Sequence, residues 1–177
     1  KVTPYRIWIS EIMLQQTQVK TATPYFKNFI KKYPTQKKLS EATEDQILAL
    51  WSGLGFYRRA RNIFKTKEII KEEYNNRFPK EFHQLLELPG IGKSTAGAIM
   101  SLAYQNPHPI LDGNVKRVIT RLVNKNLDLL KESQLWDLSS HFVNKENCFA
   151  YTQGIMDLGA TVCTPTNPSC KDCPVQN

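Results

Sequence analysis

Apolar residues recur at helical spacing along nearly the whole chain, and no stretch alternates as a half-buried strand would. Residues 5–18 form one amphipathic segment. "PYFKNFIKKY" follows, opened by Pro24 and closed by Pro34, with Tyr25, Phe29 and Ile30 on one side. "SEATEDQILALW" begins at Ser40 with a serine cap and an acidic first turn. "GLGFYRRARNIFKTKEIIKEEY" reads as a long basic helix carrying Ile63, Phe64, Lys67 and Ile70. Pro79 restarts the chain before a short helix, "EFHQLLEL". "LPGIGKSTAGAIMSLAY" is a turn followed by an apolar helix. Asp112 precedes "NVKRVITRLV", in which Val115, Val118, Ile119, Leu122 and Val123 keep helical spacing. Two further helices are expected near 131–143 and 147–158, with Gly159 as the stop of the second. The prediction is an all-α fold without internal repeats or a low-complexity linker. "QNPHP" at 105–109, with its two prolines, is the expected subdomain boundary.

One position breaks the pattern. In "IWISEIML", Glu11 has Ile7, Trp8, Leu14 and Gln15 as helical neighbours, three of them apolar. Burying an unpaired carboxylate is expensive, and the usual response is an upward pKa shift. Composition adds a partner class. The chain of 177 residues carries a formal charge of +8 and a sequence pI near 9.3. That suits a polyanion such as DNA or RNA, although solvated surface lysine gives the same balance. A hydrophobic content of 41% is ample for a core. No window approaches the roughly 18 consecutive apolar residues of a membrane span. With no secretory signal at Lys1–Pro4, the expected setting is cytoplasmic, or nuclear or mitochondrial in a eukaryote.

The turn in "LPGIGKSTAGA" carries more specific chemistry. Gly90 and Gly92 allow a tight turn and close backbone approach. The turn presents backbone N–H groups at a helix N-terminus, which attracts phosphate, and Lys93 adds charge beside it. A lone glycine pair would equally suit a simple helix connection. Here the Leu-Pro lead and the Lys-Ser-Thr-Ala sequel accompany it.

These residues resemble the helix–hairpin–helix of base-excision DNA glycosylases, with the hairpin at 88–96. "ILDGNVKRV" supplies Asp112, matching the aspartate of that superfamily. "SEIMLQQTQV", "WSGLGFYRRARN" and "QGIMDLGATVC" extend the likeness, in order, to the A/G-specific adenine DNA glycosylases. The resemblance implies two helical subdomains, 8–107 and 1–7 with 108–177, with the active site in the cleft between them. It implies double-stranded DNA with an adenine:8-oxoguanine or adenine:guanine mismatch as partner, a monomer, and no membrane. It also implies a phosphate at the hairpin and, on its carbonyls, a monovalent cation.

The same resemblance assigns roles. Bifunctional relatives similar to endonuclease III carry a Schiff-base lysine after the position of Lys93; this chain has Ser94, which favours a monofunctional enzyme. Glu11 matches the general acid and base. Adenine leaves more easily once protonated, at N7 in the family's mechanism, so the acid must keep its proton near neutral pH. Asp112 is expected to stay ionised against the oxocarbenium-like sugar, as electrostatic stabiliser or transient nucleophile, a division of labour also seen in glycosidases. From its position before a helix alone, Asp112 would be read as an N-cap. Asn114 and Ser94 match residues near the aspartate and the scissile site. Gln153 matches the reader of the flipped adenine. Gln16, with an aromatic from Phe56–Tyr57, matches the group that enters the vacated stack. Gln15, Gly90, Gly92, Lys93 and Lys116 complete the expected DNA-contacting set. Phe56 stands where the family usually has tyrosine, and Thr152 where asparagine is common.

Cys163, Cys170 and Cys173 form C-x6-C-x2-C, the first three ligands of the family's iron–sulfur motif. The fourth would fall two residues past Asn177. A [4Fe–4S] cluster is therefore expected in the full-length protein. A leucine-proline-tryptophan segment before Lys1 and a C-terminal Nudix-like domain are expected from the family and lie outside the sequence. Zinc suits this spacing poorly, and Cys148 reads as a buried small apolar residue. Two other readings stand beside the adenine glycosylase. One is an endonuclease III-like or thymine-mismatch glycosylase; the other is a non-catalytic DNA-binding helix–hairpin–helix module.

Overall fold

The first helix shows how the chain builds itself. In the computed structural model, which describes residues 2–176, α1 spans Pro4–Leu14. Thr3 caps it, its hydroxyl accepting from the Arg6 N–H, and Pro4 takes the first-turn place where a missing N–H costs nothing. Tyr5, Trp8, Ile9, Ile12 and Met13 are buried, a stripe at helical spacing. The segment expected to run to 18 stops at Leu14, because Gln16 adopts φ +56°, outside any right-handed helix.

α2 (Val19–Lys32) starts five residues earlier than the opening expected at Pro24 and runs through that proline. Pro24 has no N–H for the carbonyl four residues back, but its fixed φ is helical. Buried Ala22 and Phe29 hold the helix on either side. The serine cap expected at Ser40 is also corrected. Ser40 ends a short helix, α3 (Gln36–Leu39), and α4 (Glu44–Trp51) starts from a capping box between Thr43 and Gln46. α5 (Arg58–Glu72) buries Arg59, Ala60, Ile63, Thr66, Lys67 and Ile70. The Lys67 ammonium is held by the Ser40 carbonyl at 3.4 Å, by Glu68 and by the Phe64 ring. α6 (Phe82–Leu86) and α7 (Lys93–Ala103) follow.

The chain divides into two compact units, Lys1–Ile99 and Met100–Asn177. In the first, α1 packs on α2 and α5, α4 on α2 and α5, and α3 on α5. Trp8, Phe29, Ile47, Trp51, Ile63 and Ile70 are fully buried there. Side chains of this kind contribute about 1.5–3 kcal/mol each on burial.

The second unit centres on α8 (Gly113–Leu122), which packs on α9 (Glu132–Phe142) and α10 (Cys148–Thr161). Val115, Val118 and Ile119 form its buried stripe. The Ser139 hydroxyl ties α9 to the Ile110 carbonyl at 2.7 Å. Gly159 does not stop α10; it is buried inside the helix, against α8. Short 3₁₀ turns occur at Leu127–Leu129 and Cys170–Asp172. Among the described residues there is no strand, and no helix is long and apolar enough to cross a membrane.

Candidate functional site

The first unit gathers the residues expected at the duplex. Gln15 and Gln16 follow α1; Phe56 and Tyr57 precede α5. With Arg58 and Arg61 they line an open groove of about 600 Å³. Gln16 is exposed, and Phe56 and Tyr57 are 58% and 43% exposed. Such outward aromatics in a basic groove suit stacking against bases and contact with phosphates. Gln16 (φ +56°) and Phe56 (φ +48°) both occupy the left-handed region, uncommon for residues with a Cβ. Glu11 lies one turn before Gln15, half-buried, and its backbone carbonyl accepts the Gln15 N–H at 3.2 Å. Of its expected neighbours, Trp8 is fully buried and Ile7, Leu14 and Gln15 are half-buried.

The hairpin between α6 and α7 is held from three directions. The Ile91 N–H donates to the Leu88 carbonyl at 3.1 Å. The Thr66 hydroxyl of α5 donates to the Pro89 carbonyl at 2.9 Å, and the Gln15 amide donates to the Gly90 carbonyl at 3.3 Å. Gly90 has φ +82°, and a Cβ there would lie 2.8–2.9 Å from atoms of the Asn62 side chain. Both conformation and space therefore demand glycine at 90. Gly92 and Lys93 are exposed where α7 begins, and Ser94 is half-buried in its first turn.

The second unit holds Asp112 and its companions. Asp112 caps α8, its Oδ1 accepting the Val115 N–H at 2.8 Å, and it is exposed. The Asn114 Oδ1 accepts from Arg117 Nη2 at 2.7 Å. The same nitrogen donates to the Gly159 carbonyl at 2.6 Å, and Arg117 Nε donates to the Cys163 carbonyl at 2.7 Å. Gly159 lies so close that an added Cβ would be 2.7 Å from the Asn114 Cβ. Lys116 pairs with Glu132 at 3.7 Å. Gln153 is exposed on α10, its Nε2 donating to Asp157 at 3.1 Å.

The cysteine segment is tethered by Arg121, whose Nη1 lies 3.3 Å from Cys163 Sγ and donates to the Thr164 carbonyl at 2.8 Å. Cys163 and Cys173 are half-buried, Cys170 is exposed, and all three are free thiols. Among the described residues, no three His, Cys, Asp or Glu side chains are arranged to hold a metal ion. As placed, the three thiols do not fit a cluster. Cys148 is buried, as expected, near the Ser101 carbonyl.

Several structural residues escaped the sequence reading. Arg59 and Asn62 fall in "WSGLGFYRRARN", which carries family likeness without a role for either, and Thr66 falls in the run that reads as a basic helix. The buried phase of α5, carried by Ala60, Ile63 and Ile70, places Arg59 and Thr66 on the inner face, so the signal was present. Arg117 and Arg121 carry no comparable signal, because the carbonyls they reach at Gly159, Cys163, Thr164 and Pro165 lie far along the chain.

The model of the HhH-GPD superfamily of base excision DNA repair proteins matches residues 9–135, and the chain belongs to that family. It is 52% identical over 176 residues to an adenine DNA glycosylase of Buchnera aphidicola subsp. Schizaphis graminum, covering 98% of this chain and 51% of that protein. It is 40% identical over 177 residues to the human adenine DNA glycosylase, covering 98% of this chain and 32% of that protein. The chain thus spans about half the length of the bacterial relative. Its fold matches the solved structure of a thermostable thymine-DNA glycosylase with a TM-score of 0.89 at 28% identity, covering 99% of this chain and 82% of that one. A trapped endonuclease III–DNA covalent intermediate matches with a TM-score of 0.85 at 24% identity, with the same coverage, and speaks for the fold alone.

Proposed function

We propose that this protein is a monofunctional DNA glycosylase of base excision repair. Its reaction is hydrolysis of the N-glycosidic bond of adenine mispaired with 8-oxoguanine or guanine. The observation that carries the reading is the 52% identity, over 98% of the chain, to a protein named adenine DNA glycosylase. Ser94, standing where a Schiff-base lysine would be needed, supports hydrolysis without a lyase step.

In this reading two carboxyl groups share the chemistry. Glu11 gives its proton to N7 of adenine, and the base leaves with the bonding electron pair. Asp112, at the N-terminus of α8, faces the cationic sugar. Water then adds to C1′ and returns a proton to the Glu11 carboxylate. Asn114 and Ser94 position the sugar, and Gln153 reads the adenine edge. Gln16 and Phe56 enter the stack. The hairpin holds a backbone phosphate through Gly92, Lys93 and the start of α7. Its Leu88, Pro89 and Gly90 carbonyls already accept protein hydrogen bonds, so a monovalent cation there would share them. The same family reading expects a [4Fe–4S] cluster on Cys163, Cys170 and Cys173 with a fourth thiolate; the three thiols would have to draw together to hold it. No step above passes through it. The protein would act as a monomer wherever its DNA is kept, in bacterial cytoplasm or in a eukaryotic nucleus or mitochondrion.

The test is excision across a mismatch panel, with Glu11→Gln beside the unmodified protein. Adenine release opposite 8-oxoguanine and guanine is expected. The variant should be slower by about 10²–10⁴-fold, the usual worth of a general acid, with duplex affinity largely retained. An unchanged rate would remove Glu11 from the mechanism. Release of thymine or a damaged pyrimidine instead would move the protein to the thymine-mismatch or endonuclease III-like group. Salt-sensitive binding with no abasic product would leave a binding module.

A further inference from the structure

Arg59 is 6% exposed, and none of the ion pairs found among the described residues includes it. Its Nη1 and Nη2 groups donate to backbone carbonyls from two separate segments, while its buried Nε has no partner among the described residues. Nη1 donates to Ile12 at 3.1 Å, Met13 at 2.7 Å and Gln15 at 2.6 Å, all at the end of α1. Nη2 donates to Leu54 at 3.5 Å and Gly55 at 3.2 Å, in the loop before α5. The Trp51 and Phe56 rings each lie 5.3 Å from its central carbon. Trp51 Nε1 also donates to the Gly55 carbonyl at 3.0 Å.

The next residue along each segment is the informative one. Gln15 is followed by Gln16, and Gly55 by Phe56. These two residues have left-handed backbones, line the same groove, and point outward. Side chains with a Cβ are strained in that region, and the strain persists only where surroundings over-determine it. A planar guanidinium can hold carbonyls of two segments in one fixed geometry; an ammonium, with three donors on a single nitrogen, cannot reproduce that spread. Burying a guanidinium without a carboxylate is costly, so a cheaper apolar contact would serve if packing were the only need.

We infer that Arg59 is a positioning residue for substrate engagement: it locks Gln16 and Phe56 together, in strained backbone conformations, as a preformed pair aimed at the DNA stack. The inference rests on the reading that Gln16 and Phe56 meet a duplex. Arg59 borders the groove but is 6% exposed and its Nη groups are turned to protein carbonyls, so it acts through Gln16 and Phe56 rather than on DNA. Its loss should therefore spare general duplex affinity and damage recognition of the mispair, where a base must be displaced.

The test compares Arg59→Lys and Arg59→Gln with Gln16→Ala and Phe56→Ala. Each is assayed for unfolding midpoint, for affinity to a matched and an adenine:8-oxoguanine duplex, and for fluorescence of 2-aminopurine placed opposite guanine. For both Arg59 variants, matched-duplex affinity should stay within about twofold, while mispair preference falls at least tenfold and the fluorescence rise on binding is lost. Adding Gln16→Ala to Arg59→Lys should cost little more, because both act through one element. A folded Arg59 variant that keeps its mispair preference overturns the inference, as does parallel loss of affinity for both duplexes. Failure of both variants to fold also overturns it, because Arg59 is then a core brace alone. If Gln16→Ala and Phe56→Ala leave mispair preference and fluorescence unchanged, the underlying reading fails instead.

Discussion

Glu11 and Asp112 carry the same functional group in opposite settings. Glu11 stands inside α1, half-buried beside fully buried Trp8, one turn before the helix ends. Asp112 stands just ahead of α8, exposed, with one oxygen already holding the Val115 N–H. A carboxyl in the body of a helix has no part in starting it, whereas one at the N-terminus holds an N–H that the helix leaves unpaired. The contrast also separates structure from chemistry. Glu11 occupies the body of a helix, where glutamine has nearly the same propensity, whereas Asp112 is part of how α8 starts. Substitutions at the two positions should therefore fail in different ways.

Beyond Glu11→Gln, the largest effect should come from Asp112→Asn. Asparagine caps a helix as well as aspartate does, so the unfolding midpoint should not move. Removing the charge should slow single-turnover excision by about 10²–10³-fold, the range for losing one electrostatic stabiliser. Asp112→Ala should show the same kinetic loss and an added destabilisation of about 1 kcal/mol. A full excision rate in the asparagine variant would reduce Asp112 to a cap and dissolve the contrast.

Gly159→Ala probes the support behind Asn114. The new Cβ would sit 2.7 Å from the Asn114 Cβ and 3.2 Å from its backbone, so α8 and α10 must separate locally. Denaturant unfolding should show a loss of about 1–3 kcal/mol, the usual cost of overpacking. Excision should fall further than duplex affinity does. Retained stability would mean that α10 yields easily and that Asn114 is held by Arg117 alone.

The smallest effect contrasts the tyrosines of the two units. The Tyr5 hydroxyl donates to the Tyr33 carbonyl at 2.6 Å, whereas the Tyr151 hydroxyl is buried with no partner found. Tyr5→Phe should cost about 1 kcal/mol, and Tyr151→Phe should be neutral or slightly stabilising. Burial pushes the Tyr151 hydroxyl up to about 12. It ionises near 10 in the unfolded chain and later in the folded one, so its contribution is intact below about pH 10 and lost as pH rises toward 12. Urea midpoints against pH should decline less steeply over that window in Tyr151→Phe.

Local rules made much of this fold legible, and the exceptions have physical causes. The spacing of Val115, Val118 and Ile119 and the cap at Asp112 are properties of one helix, and both stand in the structure. Pro24 misled because proline is a reliable breaker only where packing does not hold the flanking turns; Ala22 and Phe29 do so here. Ser40 lost the cap of α4 to Thr43, whose partner Gln46 completes a reciprocal pair. Gly159 looked like a stop, but its missing side chain serves contact with Asn114, which lies 45 positions earlier in sequence. The groove residues Gln16 and Phe56 were named from family likeness. Their left-handed backbones depend on long-range packing that no periodicity encodes, whereas the burial of the arginine behind them follows from the phase of α5.

The hairpin has a history built into its bonds. Its turn is local, yet the Gln15–Gly90 bond spans 75 residues and the Thr66–Pro89 bond spans 23. Closing long loops is slow relative to winding helices. The glycine turn can thus form early and loosely, but its final seating waits until α1 and α5 have arrived. The element with the simplest signature in the sequence is completed by side chains from positions 15 and 66, far outside its own turn.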